Sequence, residues 1–347
     1  MTSQLVSEMV GSGPTMTPPG IAEPFRQNPT SPETKAMTML LTPDAAGVFP
    51  IAPTPFNPDG SVDWASTEKL FAFYDEIGSD GTTVLGIMGE APKLEPEESL
   101  RIVKTAVAGM PGKPVIVGVS APGFAAMRTL ARQSMELGAA AVMIAPPPSL
   151  RTDDQITGYY AQAVEAIGTD IPFVIQDYPL TLSVVMTPAV IRKIVTDNPS
   201  CVMLKHEDWP GLEKISTLRK FQKEGSLRPI SILTGNGGLF LDFEMERGAD
   251  GAMTGYAFPE LLIDVVKLQK AGKRDEAHDI FDAHLPLMRY EQQLGAGLAV
   301  RKYTLMKRGI LASDAQRKPG SAISALAKTE VDYLLARVAK TDKRAAL

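Results

Sequence analysis

The chain has 347 residues, 44% of them hydrophobic and 22% charged, and 40 acidic against 35 basic residues leave a net charge of −5. That length holds two average domains or one α/β barrel, and the acidic balance, with no basic stretch, argues against nucleic acid as a partner. A single cysteine, Cys201, excludes an intrachain disulfide and any Cys-rich zinc or iron–sulfur site, and no apolar run approaches the roughly 20 residues that span a bilayer. The expectation is a soluble, cytoplasmic protein with no membrane partner.

Residues 1–45 differ from the rest. They are rich in Pro, Ser, Thr and Met, as in Gly13-Pro14-Thr15-Met16-Thr17-Pro18-Pro19-Gly20, and show neither helical nor strand periodicity. The basic n-region and apolar core of a secretory signal are missing. This stretch is expected to be a flexible or surface-wrapping arm.

From Gly47 onward, eight short apolar runs start at residues 47, 82, 115, 141, 173, 202, 231 and 251. The intervals of 35, 33, 26, 32, 29, 29 and 20 residues are close to the size of a βα unit. Continuous apolarity, as in Val115-Ile116-Val117-Gly118-Val119, suggests strands buried on both faces. The segments between carry helix punctuation: Asp63 before a stretch ending at Ile77, Pro96-Glu97-Glu98 opening one that ends near Met110, and Thr187-Pro188 opening 189–195. Eight such units predict a (β/α)₈ TIM barrel over residues 46–270. Residues 271–347 hold no strand pulse, and helices over 275–287, 296–308 and 329–338 are expected as a C-terminal helical appendage.

A barrel of this kind does its chemistry where strands end. The most informative residue there is Lys205, after Cys201-Val202-Met203-Leu204. An ammonium losing its water at the end of an apolar strand is driven toward the neutral amine, which can attack a carbonyl and form a Schiff base. The alternative is a buried lysine paired with Glu207 or Asp208 that holds the barrel rim.

At these residues the chain resembles the dihydrodipicolinate synthase / N-acetylneuraminate lyase family, class I aldolases on a TIM barrel. The resemblance runs from Gly47 to about Leu311. It rests on Gly47-Val48-Phe49-Pro50-Ile51-Ala52-Pro53-Thr54-Pro55-Phe56, Gly86-Ile87-Met88-Gly89-Glu90, Gln176-Asp177-Tyr178-Pro179, Leu204-Lys205-His206-Glu207-Asp208, Thr234-Gly235-Asn236 and Gly248-Ala249-Asp250-Gly251, in this order and at barrel spacing. It implies that Lys205 is the Schiff-base lysine, that the enzyme is a carbon–carbon lyase without a cofactor, and that it assembles as a homotetramer of two tight dimers.

The departures carry as much information. The first family loop ordinarily has two hydroxyl residues, which relay protons and bind the carboxylate of pyruvate; here they are Ile87 and Met88. Either the backbone N–H groups near Gly86 and Gly89 still bind an oxyanion, with Met88 between them at the substrate, or the loop mainly packs apolar side chains. The family tyrosine on strand five is replaced by Gln176, which is neither acid nor base. Tyr178, two residues on, either takes over its role or faces solvent from a loop, and Tyr256 after strand eight is another phenol near the same mouth. Thr181 stands where dihydrodipicolinate synthases grip the aldehyde carboxylate with arginine, and Pro147-Pro148 where the loop after strand four supplies tyrosines.

His206 should point away from Lys205 by strand alternation, whereas Glu207 returns to the lysine face. Asp177 is read as bonding neighbouring loops. Asn236, in the turn Gly235-Asn236-Gly237-Gly238, should border the pocket. The polar stretch Arg289-Tyr290-Glu291-Gln292-Gln293 lies between expected helices, as a subunit contact or a cap on the mouth. With only three histidines, two of them on different faces of one expected helix, no metal is expected.

The candidate site is therefore Lys205, Tyr178 and Tyr256 for catalysis, with Gly86, Met88, Gly89, Gln176, Glu207 and Asn236 around the substrate. The expected activity is aldol cleavage or its reverse on a 2-oxo acid or related carbonyl compound, not dihydrodipicolinate synthesis itself. The alternatives are imine-dependent dehydration or hydratase-aldolase chemistry, and a barrel that only binds a small carbonyl ligand.

Overall fold

The computed structural model of the protein describes residues 39–347. Eight parallel strands, β1 (Gly47–Val48), β2 (Thr82–Val84), β3 (Val115–Gly118), β4 (Ala141–Ile144), β5 (Phe173–Asp177), β6 (Cys201–His206), β7 (Ser231–Thr234) and β8 (Gly251–Ala252), pair in sequence order from β2 to β8, and β8 pairs with β1. The ring closes between β1 and β2 through a parallel bridge from Ile51 to Thr83, with the Ala52 N–H donating to the Thr83 carbonyl at 2.9 Å. All eight strand pulses are realised. The neighbours β1 and β8 are the shortest.

Every strand residue is buried, as expected of strands covered on both faces. Phe49, Ile51, Ile116, Met143, Val174, Met203, Leu233 and Met253 fill the barrel interior. The opposite faces pack on α1 (Trp64–Glu76), α2 (Pro96–Gly109), α3 (Phe124–Glu136), α4 (Asp153–Ile167), the single turn α5 (Pro179–Leu182), α6 (Pro188–Asp197), α7 (Leu212–Lys223), α8 (Leu241–Glu246) and α9 (Pro259–Lys270). The expected starts hold for physical reasons. The Asp63 carboxylate accepts from Ser66 N at 3.0 Å to cap α1, and Thr187 Oγ1 accepts from Val190 N at 3.2 Å to cap α6.

The expected arm lies outside the described residues up to residue 38. Its last part is packed: Leu41 is buried in the cluster that fills the barrel interior, and its N–H donates to the Ala140 carbonyl at 3.0 Å. Packing on the barrel thus reaches back before residue 45, because an apolar Leu41 reaches the barrel core.

The appendage is α10 (Arg274–Glu291), α11 (Gly297–Lys307) and α12 (Ala325–Val338). The helix expected to end at Leu287 runs on to Glu291, so Arg289, Tyr290 and Glu291 are helical. Tyr256 links barrel to appendage: its hydroxyl meets His284 Nδ1 at 2.9 Å, and His284 Nε2 meets Asp342 Oδ2 at 3.0 Å.

Candidate active site

β6 delivers Lys205 to the carboxyl end of the barrel, where its side chain lines a cavity of about 260 Å³. The same cavity is lined by Gly86, Met88, Gln176, Tyr178, Glu207 and Asn236, so seven of the nine expected site residues converge. Gly89 does not line it; its carbonyl accepts from Thr54 Oγ1 at 2.6 Å and fixes the loop beneath. Tyr256 does not line it either. Its ring is packed between the barrel and α10, and burial pushes its phenol far above the ordinary range, so it is a structural link and not an acid at the mouth.

The centre is an ion pair. Lys205 Nζ lies 2.8 Å from Glu207 Oε2, and both residues are 5% exposed. Gln176, the β5 partner of Lys205 in register, donates from Nε2 to the same carboxylate oxygen at 2.9 Å. Asn236 Nδ2 donates to the Glu207 carbonyl at 2.9 Å, holding the backbone of the same residue. Asn236 sits at φ +50°, at the start of the turn Asn236–Gly238. Gly235 is required beside it, because a Cβ there would overlap the Glu207 side chain. The lysine is therefore both paired and at the cavity: the two sequence readings describe the same residue.

Tyr178 caps the turn Pro179–Leu182 and lines the cavity half-buried. Its phenol is raised by burial and then by the Glu207 charge, against the pull of a hydrogen bond to Thr181 and of Arg301. It holds its proton at neutral pH.

Behind the strands the alternation works as expected. His206 is buried away from the cavity, its Nε2 3.1 Å from the Gly211 carbonyl and its Nδ1 3.6 Å from Asp177 Oδ2. Asp177 accepts from Lys214 Nζ at 2.8 Å, and Lys214 also pairs with Asp208 at 2.5 Å. Asp208 thus serves α7 and not Lys205. Deeper in this network, burial pushes the Glu244 carboxyl up to about 7, opposed by His206 and Thr234.

Sequence reasoning missed Arg301, whereas the stretch 289–293, left open as a subunit contact or a cap on the mouth, does reach the cavity. Gln292 and Gln293 line the cavity, so the stretch after α10 caps the mouth. Glu291 and Arg301 line it too, paired at 2.6 Å, with Arg301 Nη2 donating to the Gly255 carbonyl at 2.5 Å. The available signal was the cation pair Arg301-Lys302 in the middle of α11, where Gly297 and every residue from Ala299 to Leu305 are buried. Lys302 is consumed by Glu90 at 2.5 Å. Pro147 and Pro148 do not line the cavity. Among the described residues no cluster of His, Cys, Asp and Glu is arranged to hold a metal ion, and no helix is long and apolar enough to cross a membrane.

Comparison with known proteins places most of the chain in one family. The model of the Dihydrodipicolinate synthetase family matches residues 44–338. Among curated proteins, the L-2-keto-3-deoxyarabonate dehydratase of Azospirillum brasilense is 28% identical over 288 residues, covering 82% of this chain and 91% of that one. A 4-hydroxy-tetrahydrodipicolinate synthase of Chlorobium luteolum is 28% identical over 284 residues, covering 80% and 92%. A crystal structure described as dihydrodipicolinate synthase from Rhodopseudomonas palustris is 69% identical, covers 86% of this chain and 99% of that one, and superposes with a TM-score of 0.85. The chain belongs to the dihydrodipicolinate synthetase family, whose members are TIM-barrel lyases that work through a Schiff-base lysine.

Proposed function

We propose that Lys205 forms the imine, acting on a 2-oxo acid or related carbonyl compound, with Glu207 as its proton-transfer partner. The observation that carries this is the Lys205–Glu207 pair at the end of β6, open to the cavity. The amine adds to the keto carbon, and loss of water leaves an iminium that draws electrons from the neighbouring bonds. Glu207, whose carboxylate lies against the lysine nitrogen, accepts the proton from the adjacent carbon to give the enamine and can return it. Tyr178 supplies a second proton at the mouth, to an oxygen that gains charge as a bond breaks.

The main reaction is then aldol cleavage or its reverse, in which the enamine carbon releases or attacks an aldehyde. Dihydrodipicolinate synthesis fits poorly, since Gln176 and Thr181 stand where its phenol and arginine are expected. A second reading, dehydration, draws support from the similarity to L-2-keto-3-deoxyarabonate dehydratase. In that case the same enamine expels a hydroxyl from the next carbon, and a proton from Glu207 or Tyr178 completes the water. We further propose that the chain works in the cytoplasm as a homotetramer of two tight dimers, which sedimentation of the purified protein tests.

The deciding experiment is borohydride reduction in the presence of pyruvate and larger oxo acids, followed by intact mass. Wild type should gain the mass of a reduced adduct and Lys205→Ala should not. No adduct with any oxo acid would favour a ligand-binding barrel.

A further inference from the structure

The cavity contains one cation that the imine chemistry does not use. Arg301 is only 2% exposed, yet it lines the same cavity as Lys205. Its Nε donates to Glu291 and its Nη2 to the Gly255 carbonyl, while Nη1 is buried without a hydrogen-bond partner among the described residues. A buried donor on a charged group is costly to leave unpaired, more so than on a neutral one.

The surroundings are shaped around this nitrogen. Any Cβ on Gly255, itself a lining residue, would overlap Nη1. Glu291 Oε2 is occupied by the Ala257 N–H at 3.2 Å, so the carboxylate is held between the barrel and α11 and cannot turn to Nη1. The guanidinium is thus fixed on two sides, and Nη1, without a partner among the described residues, packs against Gly255 at the cavity wall. The loop opposite offers Ile87 and Met88, which have no side-chain donor.

We propose that Arg301 Nη1 binds the carboxylate of the substrate, making this a site for oxo acids and not for neutral carbonyl compounds. The proposal rests on the imine reading above for its substrate class, and it adds a recognition residue from the appendage. A charge-assisted bond to a buried carboxylate accounts for about a 10- to 100-fold preference over an uncharged analogue.

The test compares pyruvate with methyl pyruvate, and 2-oxoglutarate with its dimethyl ester, by borohydride trapping and by calorimetric binding to the Lys205→Ala protein. Three forms are used: Arg301, Arg301→Lys, and the double variant Glu291→Gln/Arg301→Gln, which removes both buried charges together and leaves neither alone. Circular dichroism confirms that each is folded. The expected result is that the better-bound acid loses about 10-fold or more in half-saturation in the double variant, less in Arg301→Lys, while its ester is unchanged. Equal losses for acid and ester, or no loss, would overturn the assignment. If wild type traps none of the probes, the imine reading fails by itself. Arg301 is then judged by binding to Lys205→Ala: acid binding that falls with Arg301 sustains it, and an absence of acid binding refutes it.

Discussion

Glu244 offers a quantitative test of the buried network behind the lysine. It lies on α8, close to Thr234 at the end of β7 and to His206 on β6, and its Oε2 is buried without a partner among the described residues. Burial raises its carboxyl from 4.5 to about 7. At about 1.4 kcal/mol per pH unit, that displacement corresponds to about 3 kcal/mol. A folded pKa above the unfolded one means that the folded state binds the extra proton. The stability it contributes is complete below pH 4.5 and is lost as pH rises through about 7. Glu244→Gln keeps the shape, removes the titration and supplies a donor. Urea unfolding of both proteins at equal concentration, at intervals from about pH 4.5 to 8, should show the variant gaining on wild type by about 3 kcal/mol, then levelling. A difference that stays constant with pH, or shrinks as pH rises, would refute the reasoning.

Four further outcomes follow from named contacts. Glu207→Gln should slow exchange of the methyl protons of pyruvate in deuterated water by about 100-fold or more, the scale of a lost general base, and unchanged exchange would remove Glu207 from proton transfer. Gly235→Ala, whose Cβ displaces the Glu207 side chain, should impair the same exchange while Gly123→Ala, at an exposed glycine in extended backbone whose Cβ meets nothing, should not. His284, held by burial below the ordinary imidazole value of 6.5, contributes stability that is present above that value and lost as pH falls through its depressed folded pKa. The acid-side loss in urea midpoints should accordingly be smaller in His284→Gln, and identical pH profiles would contradict this. Cys201, its thiol pushed up to about 12 by burial, should resist thiol reagents in the native protein and react fully in denaturant; native labelling would mean that β6 opens.

Much of this architecture was legible because a parallel barrel leaves a periodic trace. Strands buried on both faces read as apolar runs, and their spacing exposed the eight units before any geometry was known. Strand alternation also separated Glu207 from His206, and β5–β6 pairing placed Gln176 beside Lys205. Tyr256 went astray because a residue just past a strand end can turn either into the mouth or outward, and here His284 offers its hydroxyl a buried partner. Arg301 was invisible for a related reason. It reaches the site from a helix well after the last strand, and a buried arginine shows its role only through the partners it lacks. Leu41 likewise could be assigned to the core only once the barrel floor was defined.

The central claim is that Lys205 carries the covalent chemistry. Incubation with pyruvate or a larger oxo acid, borohydride reduction and peptide mapping by mass spectrometry test it directly. The account predicts one reduced adduct per chain, located on Lys205 and absent from Lys205→Ala. An adduct on another lysine, or one that persists at full yield in Lys205→Ala, would contradict it.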